Sequence, residues 1–102
     1  MARDFDEQVR QALDELPPEL AHPLENVAVV VEDQNADEPD LLGLFEEAPY
    51  LPAKVTIYRR PLEADFGHDR ERLRHEIRVT VLHELAHYFG IDEQRLVDLG
   101  YG

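Results

Sequence analysis

The sequence contains no cysteine among its 102 residues. A disulfide, a thiolate zinc site and a thiol nucleophile are therefore excluded. If the chain binds a transition metal, the ligands must be histidine and carboxylate side chains. The missing residue type thus already fixes the chemistry that a metal site in this chain would use.

Basic residues are also scarce: 10 lysines and arginines stand against 23 acidic residues, giving a formal net charge of −13. Binding to nucleic acid or to an anionic membrane surface needs a basic footprint, so we expect neither as a partner. No segment approaches the roughly 18 consecutive apolar residues of a membrane span. The first residues form no apolar run of the kind found in signal peptides, which favours a cytoplasmic protein.

The length and the hydrophobic content of 43% predict a single small domain over residues 1–102 with one modest core. The acidity is uneven. Residues 1–53 carry fourteen acidic and two basic residues, whereas residues 54–102 carry nine and eight. The acidic half could guide a basic substrate to the protein or only confer solubility. A functional site in the second half would lie in a different local electrostatic field.

Apolar residues recur at helical spacing near the N-terminus, from Phe5 to Leu16. This pattern predicts a surface helix over residues 4–16. Asp4 and Glu7 have the spacing of a capping box, and the proline pair that begins at Pro17 ends the helix. Residues 19–26 are predicted to be a connector.

Three short segments have the composition of strands. Residues 27–31 are apolar and β-branched, which is typical of a strand buried on both faces. Residues 41–45 predict a second strand, which Gly43 would weaken. Residues 54–60 alternate polar and apolar side chains and predict a strand with one solvated face, and the segment from Pro61 to Gly67 is predicted to be a loop.

Residues 69–89 carry the strongest helical signal, because Leu73, Ile77, Val81 and Leu85 step by four without an interrupting glycine or proline. Gly90 follows at the usual position of a left-handed helix cap. The order of a helix, two or three strands and a long helix predicts the α+β class, with a small sheet packed against helices.

The long helix contains the segment His83-Glu84-Leu85-Ala86-His87. Histidines at positions i and i+4 lie on one helix face about 6 Å apart, so both imidazoles can bind one zinc ion. Glu84 flanks that face, where it can take a proton from a zinc-bound water and return it to a leaving amine. The segment therefore predicts metal-assisted hydrolysis of an amide bond.

A catalytic zinc site needs a third protein ligand and an open fourth position. Only 15 residues follow His87 in this sequence. A chain that reverses at Gly90 can return an acidic side chain towards the histidine pair. The candidates are Asp92, Glu93 and Asp98, and the sequence alone leaves the choice among them open.

The eleven residues from His83 to Glu93 resemble the zincin signature HExxHxxGxx(H/D), and the chain resembles the bacterial mini-zincin family over most of its length. The resemblance implies a minimal zincin fold, with a small mixed sheet of about three strands packed on the active-site helix. It also implies zinc as cofactor, His83 and His87 as ligands, and Glu84 as general base. Glu93 occupies the third-ligand position, where the family usually has aspartate, and Asp92 is the alternative.

The sequence therefore predicts a zinc metallopeptidase acting on peptides or unfolded protein, with basic substrates as one preference that the acidic half would favour. The strand at Leu41–Phe45 or the one at Val55–Arg60 could hold an extended substrate by main-chain pairing. The alternative is a catalytically inactive, zincin-like module that binds metal or another protein. Retained zinc with lost cleavage in Glu84→Gln would distinguish the enzyme from that module.

Overall fold

Helices and a three-stranded sheet make up the chain. The computed structural model describes residues 2–48, 51–90 and 92–101, without the side chains of residues 2, 3, 48, 51, 52 and 87–89. The elements are α1 (Ala2–Asp14), α2 (Pro18–Ala21), a 3-10 helix (His22–Asn26), β1 (Val27–Glu32), β2 (Gly43–Ala48), β3 (Leu51–Tyr58), α3 (Arg59–Phe66), α4 (Arg70–Phe89) and α5 (Glu93–Asp98). This mixture of elements confirms the predicted α+β class.

Within residues 2–48, 51–90 and 92–101, no helix has the length and hydropathy needed to cross a membrane.

The sheet has the strand order β1-β3-β2, so β3 is central and the other two strands are edges. β1 runs parallel to β3, with Val29 opposite Val55, and β2 runs antiparallel, with Phe45 opposite the same residue. This order corrects two predictions. The Val27–Glu32 strand is only half-buried because it is an edge, whereas all residues from Val55 to Tyr58 are buried because β3 has neighbours on both sides.

Several local predictions were also wrong. Residues 19–26, predicted to be a connector, lie in α2 and the 3-10 helix, and Arg59 and Arg60, predicted to end a strand, belong to α3. The segment predicted to be a loop from Pro61 is helical: α3 runs through Arg59–Phe66 and buries Leu62. Proline is compatible with the first turn of a helix, where its missing N–H needs no partner. At the N-terminus, α1 begins at Ala2, so Asp4 lies inside the first turn instead of capping the helix.

The long helix α4 is confirmed together with both of its predicted ends. The side chain of Asp69 caps it by accepting hydrogen bonds from the backbone N–H groups of Glu71 at 3.0 Å and Arg72 at 3.2 Å. Gly90 ends it in the left-handed conformation with φ of 66°. Both ends are set by residues adjacent to the helix, which is why the sequence was sufficient to predict them.

Two hydrophobic clusters contact different faces of α4. Leu73, Ile77, Val81 and Leu85 pack with α1, α3 and the sheet. Leu82 and Ala86 belong to a second cluster with Leu16, Leu20 and Leu96, which come from the start of the chain and from α5. These two faces hold α4 in place and leave a stripe of polar residues on the remaining side of the helix.

Candidate active site

The polar stripe of α4 faces a cleft of about 490 Å³. One wall is α4, and the other is the start of the edge strand β2 with the three residues before it. The lining residues are Glu76, Val79, Thr80, His83 and Glu84 from α4, and Asp40, Leu41, Leu42 and Gly43 from the opposite wall. The cleft therefore lies between the helix that carries the histidine motif and an open sheet edge.

His83 and Glu84 both line this cleft and are half-buried. The next two residues of the motif, Leu85 and Ala86, are buried in the two hydrophobic clusters, with 0% and 7% of their surface exposed. Helix periodicity thus separates the motif into a polar side and a core side, as the sequence predicted. His87 lies in α4 one turn beyond His83, and its side chain is outside the described residues.

The imidazole of His83 has a partner that sequence analysis did not identify. Its Nε2 atom lies 3.1 Å from the backbone oxygen of Tyr101. The ring of Tyr101 also stacks on His75, with ring centroids 5.7 Å apart and an angle of 20° between the planes. Because a carbonyl oxygen only accepts hydrogen bonds, Nε2 carries the proton in this contact.

The contact with Tyr101 limits how His83 can bind a metal. A ring nitrogen that donates its proton to a carbonyl has no lone pair to offer to a metal ion. A metal at His83 would be held by Nδ1 while the Tyr101 contact persists, or by Nε2 after the contact is released.

The acidic candidates for the third ligand differ in their local bonding. Asp92 caps α5, because its Oδ1 accepts a hydrogen bond from the backbone N–H of Gln94 at 2.9 Å. Asp98 accepts a hydrogen bond from the side chain of Gln94 at 3.0 Å. Glu93 lies exposed in the first turn of α5. Of the three carboxylates, Asp92 and Asp98 therefore already serve the local structure of α5.

The position of α5 is fixed by contacts with α2. Arg95 donates two hydrogen bonds to the Glu19 carboxylate, at 2.9 and 3.0 Å, and Leu96 is completely buried. The Glu19 carboxylate raises the pKa of the Arg95 guanidinium above its usual value. These contacts hold α5 against α2, after Gly90 has ended α4 in the left-handed conformation.

The donor chemistry of the predicted ligands fits zinc, which binds neutral imidazole and carboxylate in catalytic sites. Within residues 2–48, 51–90 and 92–101, no three histidine or acidic side chains come close enough together to hold a metal ion. The side chain of His87, which the sequence predicts as the second ligand, lies outside the described residues. The predicted set of His83, His87 and Glu93 therefore stays a prediction.

Two cleft residues, Gly43 and Asp40, were missed as candidates by sequence analysis. The sequence indicates Gly43 only as a residue that weakens a strand, and it gives Asp40 no role. Their position follows from the pairing of β2 with β3, which brings residues 40–43 against residues of α4 that lie more than thirty positions further along the chain. No local signal in the sequence marks that contact.

The fold and the cleft define an α+β protein with an HExxH helix beside an open sheet edge. Residues 24–101 match the family of zincin-like metallopeptidases, and the chain belongs to that family. No curated protein matches the chain. The family membership confirms the resemblance recognised in the motif and places the chain among metallopeptidases of the zinc-dependent kind.

Proposed function

We propose that residues 1–102 form one catalytic domain, a zinc-dependent metallopeptidase that hydrolyses peptide bonds. The observation that carries this proposal is the position of His83 and Glu84, which lie next to each other in a cleft bounded by an open strand edge. His83, His87 and Glu93 would hold the zinc ion. The domain belongs to a family whose members are metallopeptidases, which supports the same activity.

Zinc, when bound, would lower the pKa of a coordinated water and polarise the substrate carbonyl. Glu84 is the general base: its carboxylate accepts a proton from the attacking water and then delivers it to the amine that leaves. Its position next to His83, on the cleft side of α4, provides the proximity that this transfer needs. Leu85 and Ala86 keep the helix fixed in the core while Glu84 acts.

The substrate would lie along β2. Of the two strands that the sequence offered for this role, Val55–Tyr58 belongs to the central strand and both of its edges are paired. β2 is an edge, and its start at Gly43 lines the cleft. An edge strand presents unpaired N–H and C=O groups to which an extended peptide can add as a further strand.

The test of this function uses the full chain loaded with zinc. We expect about one zinc ion per chain by native mass spectrometry and cleavage within a broad peptide library. Chelation should stop the cleavage and added zinc should restore it. A chain that holds stoichiometric zinc but leaves the whole library intact would contradict the proposal and favour a binding module instead.

The charges of the cleft favour a basic side chain in the substrate. Its charged lining consists of Asp40, Glu76 and Glu84, and no lysine or arginine belongs to the lining among the described residues. Glu76 is paired with Arg72 at 2.9 Å, whereas Asp40 is an exposed residue of the lining. Asp40 is therefore the carboxylate best placed to meet a basic residue of the substrate.

We expect cleavage sites enriched in lysine or arginine at low salt, with a preference that Asp40→Asn lowers about two- to fivefold, as for an exposed ion pair. Asp37→Asn is the matched control, because it removes the same charge from an exposed residue of the same loop that does not line the cleft. Library cleavage analysed by mass spectrometry measures the preference. Equal reductions in both variants, or no basic enrichment at low salt, would show that the cleft charge does not select the substrate.

A further inference from the structure

Gly43 marks a close approach between β2 and α4. A Cβ atom placed on Gly43 would lie 2.6 Å from Cγ2 of Thr80 and 3.6 Å from Cγ of Glu84. Carbon atoms in ordinary contact are about 3.5–4.0 Å apart, so a side chain here would require a displacement of about 1 Å. β2 can therefore lie this close to the helix only because residue 43 has no side chain.

The close approach, and not backbone conformation, explains the glycine. Glycines in the left-handed region are Gly90 and Gly100 among the described residues, and Gly43 is not one of them. An alanine at position 43 would thus be acceptable to the backbone itself. The alanine side chain would instead collide with α4, at Cγ2 of Thr80.

Thr80 cannot easily move aside. Its Oγ1 donates a hydrogen bond to the backbone oxygen of Glu76 at 2.8 Å, and the residue is only 8% exposed. Threonine is β-branched, so rotating Cγ2 away would also carry Oγ1 away from its acceptor. The next neighbour is the backbone oxygen of Thr56, 3.3 Å from the added atom and part of the buried central strand.

The same contact lies one turn of α4 away from Glu84. β2 would hold the substrate main chain, and α4 holds the general base, so the spacing of β2 and α4 sets the distance from the scissile bond to the Glu84 carboxylate. We propose that Gly43 is a positioning residue that, by packing against Thr80, fixes the substrate-binding edge at the distance that Glu84 requires. This inference rests on the proposed peptidase function.

The test is a double-mutant cycle of Gly43→Ala and Thr80→Ser in the zinc-loaded full chain. Gly43→Ala is expected to lower kcat by about 10- to 100-fold, since a 1 Å misplacement can cost about that much. Zinc affinity should not change. Thr80→Ser removes Cγ2 and keeps the hydroxyl, so in that background Gly43→Ala should cost little further kcat.

Gly67→Ala is the matched control, because it should destabilise the fold without moving β2 relative to Glu84. A Cβ there would collide with the backbone oxygen of Glu63, at the end of α3 and outside the cleft. It should lower the temperature of unfolding while kcat per folded molecule stays the same. If Gly43→Ala does not fold, Thr80→Ile applies the displacement from the helix side and is expected to lower kcat in the same way.

The outcomes separate the two proposals. If the zinc-loaded chain without substitutions cleaves no peptide, the peptidase function fails and the role of Gly43 falls with it. If that chain cleaves and Gly43→Ala keeps its kcat, only the positioning role is wrong. The positioning role is also wrong if the loss of kcat is equally large in the Thr80→Ser background, because the contact with Cγ2 would not be its cause.

Discussion

Replacing Glu84 with glutamine is expected to lower kcat for peptide cleavage by about 10²- to 10⁴-fold while zinc binding is retained. Glutamine has nearly the same size and keeps an oxygen at the same position, but its amide cannot take a proton from water at neutral pH. Glu84 is half-buried in the cleft next to His83. The variant should therefore fold and bind zinc normally, and only the proton transfer should be lost.

The measurement combines kcat at saturating zinc with the zinc dissociation constant from calorimetry. Glu71→Gln is the matched control, since it makes the same change at an exposed position in the first turn of the same helix. A Glu84→Gln protein with more than about a tenth of the original kcat would place the general base elsewhere. A loss of zinc in the same variant would instead make Glu84 a ligand.

The part of this site that lies on α4 could be predicted because its causes are local. Four apolar residues at steps of four define the buried side of the helix, and Asp69 and Gly90 define its ends. Once the helix is fixed, its period puts Leu85 in the core and His83 and Glu84 on the cleft side. No information from distant parts of the chain is needed for these placements.

All three predicted strands exist, but β2 (Gly43–Ala48) and β3 (Leu51–Tyr58) are shifted from the predicted residues 41–45 and 54–60. The environments predicted for two of the strands were wrong. Val27–Glu32 is apolar like a central strand, yet it is an edge, whereas Val55–Tyr58 alternates like an exposed strand and is central. Burial in a sheet depends on which strands are neighbours, and this order is a property of the whole fold. The loop predicted from Pro61 was wrong for a different reason. Proline was interpreted as a residue that breaks helices, although in the first turn of α3 it is compatible with one.

The contacts that shape the cleft were beyond prediction because they join distant segments. Gly43 meets Thr80 across 37 positions of sequence, and Tyr101 meets His83 across 18. A glycine in a strand pattern has the same sequence signal whether it weakens the strand or permits a close approach. The distance of 2.6 Å from the added Cβ to Thr80 decides between these meanings for Gly43.

The identity of the third zinc ligand can be tested by the effect of single substitutions on zinc affinity. Replacing Glu93 with glutamine is expected to weaken zinc binding by more than about 100-fold, because the loss of a direct ligand should exceed the 10- to 100-fold cost of losing a supporting group. Asp92→Asn should leave the affinity close to that of the original chain. Asparagine caps a helix as well as aspartate does, so the bond from the Gln94 N–H, 2.9 Å long in the original chain, has an acceptor in both cases.

The two substitutions remove one charge each from adjacent residues, so they control for each other. Competition with a chromogenic chelator measures the zinc affinity, and thermal unfolding without metal shows whether α5 keeps its cap. The opposite result, a loss of zinc in Asp92→Asn alone, would make Asp92 the third ligand, because its second carboxylate oxygen can bind the metal while Oδ1 keeps the cap of α5. Affinities equal to that of the original chain in both variants would remove Asp92 and Glu93 as ligands and leave Asp98, whose second carboxylate oxygen can bind zinc while Oδ1 keeps the bond from Gln94.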